Sequence, residues 1–211
     1  EGIERVRLGS LEADTLTDGE IQRLKACGRL CPHFHLSLQS GSDTVLQRMK
    51  RRYTTAEYYA LVQKLREAFP GCAITTDIMV GFPGETDEEF AESMAFAEKV
   101  GFAKIHVFPY SIRRGTVAAM RTNQVVPQIK SARAKEMNRL AERLERQFLE
   151  SRTGTIQTVL IEKRTSPDYC NGFTDSYIPV RIYGEDITRH TLARVKITGV
   201  EGDHCTGTTE F

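Results

Sequence analysis

Residues 33–53 begin with His33-Phe-His-Leu-Ser-Leu-Gln-Ser-Gly-Ser-Asp43 and end with Met49-Lys-Arg-Arg-Tyr53, a pattern that predicts a strand, a tight turn and a short helix. Apolar and polar side chains alternate over 33–39, as in a strand whose side chains point to opposite faces in turn. In a half-solvated sheet the polar face would meet water, whereas in a barrel it would line a lumen where polar groups converge on a ligand. Gln39 ends this strand, at the edge where α/β proteins bind ligands.

The neighbouring sequence repeats the alternation of strand and helix. Further strands are expected at 3–9, 73–82 and 104–110. Capping boxes, in which Thr is followed three residues later by Glu, predict helix starts at Thr17, Thr54 and Thr86. An apolar seam predicts one more helix over 125–152, whose opposite basic face is either solvated or in contact with an RNA backbone. This part of the chain is therefore expected to be α/β.

Composition excludes several classes of protein. The formal net charge is +1 over 211 residues, so any surface for nucleic acid must be local. No apolar run approaches the roughly 20 residues of a membrane span, and no signal-peptide pattern is present, so we expect a cytoplasmic location without a membrane partner. The cysteines number five, and an odd count indicates reduced thiols. Cys27 and Cys31 have the spacing of a metal-binding pair, but the absence of a nearby third ligand favours two ordinary thiols.

Asp77 is an acidic residue in the middle of the apolar run 72–82. A buried carboxylate needs a partner, so we expect Asp77 to have a role in the lumen of the barrel.

Residues 153–211 change character, since Thr, Val and Ile dominate and no helical pattern appears. Strands are expected near 155–163, 173–183, 191–199 and 204–210, which together predict a small β-barrel. Cations and aromatic rings here suit RNA, although an aromatic ring in a small barrel more often fills its core. The residues selected as RNA contacts are Lys163, Arg164, Tyr177, Arg181, Arg194 and Lys196.

Five stretches, in order, resemble the radical S-adenosylmethionine (SAM) methylthiotransferases, enzymes that add a methylthio group to tRNA adenosines or to a ribosomal protein. The stretches are Arg7-Leu-Gly-Ser-Leu-Glu12, the central 33–53, Thr76-Asp-Ile-Met-Val-Gly-Phe-Pro-Gly-Glu-Thr86, 107–116 and the C-terminal β region, which is similar to the RNA-binding TRAM domain. The resemblance covers nearly the whole chain.

The resemblance implies a partial radical SAM barrel of the TIM (β/α) type over 1–126, a connecting helix over 127–152 and a small, all-β, OB-like TRAM barrel over 153–211. Family members bind a 4Fe–4S cluster through a CxxxCxxC motif upstream of the first matching stretch. This sequence lacks that motif, so the chain resembles the C-terminal portion of a longer enzyme. Cluster ligands are expected in a missing N-terminal part of the same protein. The isolated portion would be inactive, with an open sheet edge prone to aggregation.

The implied activity is addition of a 2-methylthio group to N6-threonylcarbamoyladenosine beside the anticodon, because 77–80 and 108–113 most resemble that branch. The implied cofactors are SAM and 4Fe–4S clusters, and the implied partner is the tRNA anticodon stem-loop. Two alternatives within the family are methylthiotransferases for isopentenyladenosine in tRNA and for a ribosomal protein. An alternative of another class is a non-catalytic RNA-binding fragment.

The resemblance also assigns roles to single residues. Glu12 would contact the α-ammonium of SAM, and Arg51 would bind the SAM carboxylate, although a run of three cations is often simply solvated. Gln39 and Asp77 would accept hydrogen bonds from ribose hydroxyls. Gly81 would let the adenine approach the backbone, and Phe108 would pack on the adenine. No residue is assigned to catalysis or to a metal.

Overall fold

In the computed structural model, which describes residues 2–164, 166, 168–184 and 188–210, four parallel strands and five α-helices alternate over the first 150 residues. The strands and helices are β1 Ser10–Glu12, α1 Asp18–Lys25, β2 His33–Ser37, α2 Asp43–Arg48, α3 Thr55–Ala68, β3 Ala73–Val80, α4 Asp87–Val100, β4 Lys104–Pro109 and α5 Pro127–Glu150.

The helices begin where the local chemistry of the sequence predicts. At Thr17, Thr54 and Thr86 the threonine hydroxyl accepts from the backbone N–H of the glutamate three residues later. Each glutamate in turn accepts from the backbone N–H of its threonine, so two otherwise unpaired donors are satisfied at each helix start. Gly101 ends α4 in the left-handed conformation with φ of 64°.

The four strands form one sheet in the order β1-β2-β3-β4, with every pair parallel. One face is fully buried under the helices, and Phe34, Leu36 and Ile78 there are 0% exposed. Burial of a side chain of this size stabilises the fold by about 1.5–3 kcal/mol. The other face carries the polar side chains. This arrangement confirms the α/β prediction and the radical SAM-like class of fold.

The remaining strands close into a separate barrel. They are β5 Ile156–Arg164, β6 Tyr169–Thr174, β7 Pro179–Tyr183, β8 Leu192–Glu201 and β9 His204–Thr209. Their order around the barrel is β5-β6-β7-β9-β8, with β7 and β9 parallel and the other pairs antiparallel. Val159, Ile161 and Ile182 are among the apolar side chains that fill the interior. The predicted small β-barrel, consistent with a TRAM or OB-like domain, is therefore confirmed.

Two predicted strands need correction. The continuous strand expected near 173–183 is two strands, β6 and β7, separated by a turn in which Tyr177 has φ of 63°. The strand expected at 3–9 is not formed, since only Val6 makes an isolated bridge, to Leu30, and the first strand is β1. The side chain of Arg5 instead donates to the barrel, at the Thr158 carbonyl at 2.7 Å and the Phe173 carbonyl at 3.3 Å.

The residues that the structure describes include no helix that is both long enough and apolar enough to cross a membrane.

Candidate functional site

The carboxyl end of the parallel sheet carries Gln39, Met79 and Phe108 on or directly after neighbouring strands. Gln39 has a left-handed backbone with φ of 70°, which costs a non-glycine residue about 1–2 kcal/mol. Its N–H donates to the Asp77 carbonyl at 2.9 Å, and its carbonyl accepts from the Met79 N–H at 2.9 Å. These bonds hold Gln39 in a conformation of the kind that is enriched at ligand-binding sites.

Two adjoining cavities of about 300 Å³ and 360 Å³ lie at this edge. Gln39 lines both cavities, Arg51 lines the smaller and Phe108 lines the larger. The structure thus brings three predicted site residues together. Sequence reasoning missed further lining residues, which belong to no single motif and converge only in the fold: Arg48, Met79, Ala118 and Arg121.

Glu12 and Arg51 form an ion pair at the same edge, with 2.7 Å between Glu12 Oε2 and Arg51 Nη1. Their side chains are 46% and 27% exposed, and a pair this accessible to water contributes only about 0–1 kcal/mol. Tyr53 anchors the segment that carries Arg51, since its buried hydroxyl lies 2.6 Å from the Ser37 carbonyl and 3.0 Å from the Leu38 carbonyl. Burial raises the pKa of Tyr53 to about 12, so this donor keeps its proton. The ion pair is held at the carboxyl end of the sheet, and separating its two side chains costs little free energy.

The turn after β3 uses its glycines for contacts within the protein. Gly81 has φ of 72°, and a Cβ there would lie 2.4 Å from Lys130 Cγ. Gly84 has φ of 81°, and a Cβ there would lie 2.3 Å from Asn123 Nδ2. A side chain therefore lies on the Cβ side of each glycine, and the predicted approach of an adenine to Gly81 stays a prediction. Gly81 is required by the packing of α5 against the turn.

A buried ion pair joins the same turn to α5. Arg133 Nη1 donates to Glu85 Oε1 at 2.7 Å and to the Glu85 carbonyl at 3.1 Å, while Nη2 donates to Asp87 Oδ1 at 2.7 Å. Glu85 Oε1 also accepts from the Gly81 N–H at 2.8 Å. Desolvation raises the pKa of Glu85 although the Gly81 N–H and Arg133 act in the opposite direction. These bonds fix the loop that follows the carboxyl end of β3.

Asp77 lies on the polar face of the sheet, as the sequence predicts, but it lines neither cavity. Its Oδ2 lies 3.4 Å from His35 Nε2, and His35 Nδ1 lies 3.0 Å from Thr75 Oγ1. His106 pairs with Asp77 in the register of β3 and β4. Sequence reasoning did not select either histidine, although both fall on the polar alternation of their strands. The predicted ribose contact of Asp77 stays a prediction.

The cysteines do not fit an iron–sulfur cluster. Cys31, Cys72 and Cys205 are buried, and burial raises the pKa of each thiol, to about 11 for Cys72 and Cys205. Cluster ligands are thiolates, which a raised pKa disfavours. In the described part of the chain, three cysteines do not meet at any point. The thiols are therefore structural or solvent-facing in this chain.

The cations selected in the barrel lie on several strands. Lys163 on β5 and Arg194 and Lys196 on β8 are exposed, and β5 and β8 are neighbours. Arg181 lies 3.5 Å from Glu201 and over the ring of Tyr169, and Arg194 lies 3.9 Å from Glu210. Arg164, the remaining selected cation, lies on β5 and is half-buried. An outward basic surface on β5 and β8 is therefore partly balanced by acids.

Tyr177 lies where the barrel meets the sheet. Its ring stacks on Phe173 with centroids 4.7 Å apart, and the Arg7 guanidinium lies over it at 3.7 Å. The ring of His33 meets it edge-on at 5.6 Å. Burial and the nearby Arg7 lower the pKa of His33 to about 4, so this histidine is neutral. Tyr177 thus helps to hold the barrel on the sheet, but the residue is still 44% exposed, and its predicted contact with RNA stays a prediction.

Comparison with known proteins agrees with this architecture. The model of the radical SAM superfamily matches residues 4–97. A solved structure described as coproporphyrinogen III oxidase from Escherichia coli, a radical SAM enzyme, shares the fold with a TM-score of 0.57 at 20% identity. That match covers 69% of this chain and 33% of the other. Over residues 4–97 the chain therefore belongs to the radical SAM superfamily.

Within that superfamily the chain is similar to tRNA methylthiotransferases. It is 37% identical over 201 residues to the threonylcarbamoyladenosine tRNA methylthiotransferase MtaB of Bacillus subtilis, across 93% of this chain and 45% of that protein. It is 37% identical over 199 residues to the tRNA-2-methylthio-N(6)-dimethylallyladenosine synthase of Symbiobacterium thermophilum, across 93% of this chain and 42% of that protein. The chain therefore spans less than half the length of these relatives.

Proposed function

We propose that this chain is the SAM-holding and RNA-contacting part of a tRNA methylthiotransferase that adds a 2-methylthio group to N6-threonylcarbamoyladenosine next to the anticodon. The relatives named above, similar over 93% of the chain, support the reaction class. The observation that carries the proposal is the Glu12–Arg51 pair, whose arginine lines a cavity together with Gln39 at the carboxyl end of the sheet.

The pair has the two charges that an α-amino acid group requires. The carboxylate of Glu12 would accept from the α-ammonium of SAM, and the guanidinium of Arg51 would donate to its α-carboxylate. Because the existing pair is exposed and weak, exchanging it for these two contacts costs little. The side chain of Gln39 would bind a ribose hydroxyl, and Phe108 would pack on the adenine, since both residues line the adjoining cavity. The predicted contact of Asp77 with a ribose hydroxyl would require Asp77 to leave its contact with His35.

Bound SAM, together with a reduced 4Fe–4S cluster, supplies the oxidising chemistry that replaces hydrogen by sulfur on the adenine. The residues described above do not include a fitting set of cluster ligands, so we propose that these ligands come from an N-terminal part of a longer polypeptide. The 211-residue chain alone would then bind SAM and RNA without turnover.

The barrel would supply contacts to the RNA backbone. Lys163, Arg194 and Lys196 are exposed cations on neighbouring strands and would contact phosphates of the anticodon stem-loop. Arg181 would contribute after release from Glu201. Such binding in the cytoplasm would weaken steeply with salt, because each phosphate contact releases counterions.

Cofactor binding by this chain can be tested without turnover. Equilibrium dialysis with radiolabelled SAM would compare the wild-type chain with Arg51→Ala and with the matched control Arg52→Ala. Arg52 is the adjacent exposed cation that does not line the cavities. Loss of a charge-assisted contact of about 1.5–3 kcal/mol predicts roughly a 10- to 100-fold weaker affinity for Arg51→Ala alone. Equal affinities for the two variants would contradict the proposed site.

The substrate is tested in cells. Mass spectrometry of tRNA nucleosides, with and without the gene that encodes this chain, should show loss of 2-methylthio-threonylcarbamoyladenosine and gain of its precursor. Loss of the isopentenyl analogue would keep the reaction and change the substrate to that of the Symbiobacterium relative. If neither nucleoside changed, the tRNA proposal would fail.

A further inference from the structure

Three side chains with metal-binding atoms meet on the polar face of the sheet, below the cavities of the candidate SAM site. They are His35 on β2, Asp77 on β3 and His106 on β4, so three neighbouring parallel strands each contribute one. One ligand atom from each lies within 4.8 Å of the other two. Among the residues that the structure describes, no other three side chains of His, Cys, Asp or Glu bring their ligand atoms this close together.

The strands place these side chains at two adjacent levels on one face of the sheet. Asp77 pairs directly with His106 in the register of β3 and β4, and His35 pairs with Thr75, two residues earlier on β3. Alternation along each strand then puts all three on the same face. Strands fixed by a parallel hydrogen-bond ladder form a more rigid support for a ligand set than loops do.

The environment of His35 matches that of a metal ligand. Its Nδ1 lies 3.0 Å from Thr75 Oγ1, which fixes the orientation of the ring and directs Nε2 towards Asp77 Oδ2 at 3.4 Å. Metal-bound histidines almost always engage the second ring nitrogen in this way. A simple His–Asp ion pair would need neither the third residue nor this support.

We propose that His35, Asp77 and His106 bind one divalent first-row transition-metal ion, such as Zn²⁺ or Fe²⁺. Bonds of about 2.0–2.2 Å require ligand atoms roughly 3–4 Å apart, and the exposed side chain of His106 can close the remaining gap by a small rotation. Two imidazoles and a carboxylate suit transition metals rather than Mg²⁺ or Ca²⁺, and three ligands leave positions open.

The open positions face usable space. His35 and His106 line a cavity of about 370 Å³ between the sheet and the barrel, which His33 and Tyr177 also line. A cavity of this size accommodates water or a small anionic ligand on the ion. The site is separate from the Glu12–Arg51 pair, so its existence does not depend on the proposed SAM binding.

The test is titration of the purified chain with Co²⁺, whose visible absorption reports its coordination. All proteins would carry Cys27→Ser, because Cys27 is the exposed thiol and would add a thiolate signal. We expect one Co²⁺ per chain, displaced by Zn²⁺ and not by Mg²⁺. His106→Ala and Asp77→Asn should abolish the saturable signal, and Thr75→Val should weaken it roughly 10- to 100-fold.

His204→Ala is the matched control, since His204 also lies beside an acid, Asp203, at 3.2 Å but belongs to β9 of the barrel and not to the three strands of the cluster. It should bind Co²⁺ like the parent. Far-UV circular dichroism would show that each variant keeps its fold, and Asp77→Asn preserves side-chain shape if His106→Ala does not fold. The proposal is overturned if the parent takes up no stoichiometric Co²⁺, or if His204→Ala lowers binding as much as His106→Ala does.

Discussion

Substituting Arg133 by methionine should lower the free energy of unfolding by about 3–5 kcal/mol. The arginine side chain is 7% exposed, and its guanidinium donates to Glu85 and Asp87. Methionine keeps the apolar stem but provides no donor, so the Glu85 carboxylate stays buried without its cation.

Most of this cost arises at Glu85. Its side chain is 2% exposed, whereas that of Asp87 is 90% exposed and regains water when the arginine is lost. After the substitution, the described partner of the buried carboxylate is the Gly81 N–H. Replacing both members of a buried pair by apolar residues is often neutral. The double variant Glu85→Met with Arg133→Met should therefore cost less than Arg133→Met alone.

Urea denaturation followed by far-UV circular dichroism would measure these changes. The matched control is Arg143→Met on the same helix, because the Arg143–Glu98 pair has a similar distance of 3.0 Å but side chains that are 50% and 58% exposed. That control should cost about 0–1 kcal/mol. Equal costs for Arg133→Met and Arg143→Met, or a double variant that costs the sum of the single ones, would refute the reasoning.

The pH dependence provides a second check. Desolvation raises the pKa of Glu85 in the folded state, and loss of Arg133 should raise it further because the arginine acts to lower it. A carboxyl group with a raised folded-state pKa contributes stability at low pH that is lost as pH rises through that pKa. The destabilisation by Arg133→Met should therefore be smaller at pH 4 than at pH 8, whereas that by Arg143→Met should show no such change.

Further substitutions test three other parts of the fold. Gln39→Gly should relieve left-handed strain and keep or raise the thermal midpoint, while dialysis shows weaker SAM binding; a large loss of stability would contradict this. Gly81→Ala should lower the free energy of unfolding by about 1–3 kcal/mol in urea titrations. Adding Lys130→Ala to this variant should restore the part of the loss that is due to the steric clash, but not the part that is due to the left-handed φ. Tyr177→Ala should increase hydrogen exchange around Arg7 without lowering that of β2, and unchanged exchange would argue against the contact.

Much of the fold could be predicted because its signals are local. A threonine with a glutamate three residues later satisfies unpaired backbone N–H groups at a helix start without any distant residue. All three predicted capping boxes appear in the structure. Alternation over 33–39 is likewise set by neighbouring residues and identified a strand with one buried face. The change to Thr, Val and Ile after residue 153 was enough to predict the barrel.

The errors arise where the partner of a segment is distant in sequence. Residues 3–9 alternate like a strand, but alternation does not tell whether Arg5 and Arg7 face a sheet or pack on a barrel formed by much later residues. Other contacts were missed for the same reason, such as that of Gly81 with Lys130 of α5, which the turn sequence could not reveal. The meeting of His35 with His106 depends on register between strands, which is a property of the folded sheet.

The docking of the barrel on the first residues of the chain bears on how chimaeras of such proteins should be made. A barrel exchanged between relatives at residue 153 alone would meet foreign side chains where Arg5 donates to Thr158 and Arg7 covers Tyr177. A working exchange would have to carry residues 3–9 with the barrel. That segment runs directly into β1, which ends at Glu12. The transferable unit is therefore discontinuous in sequence, and its junction lies within a few residues of the candidate SAM site.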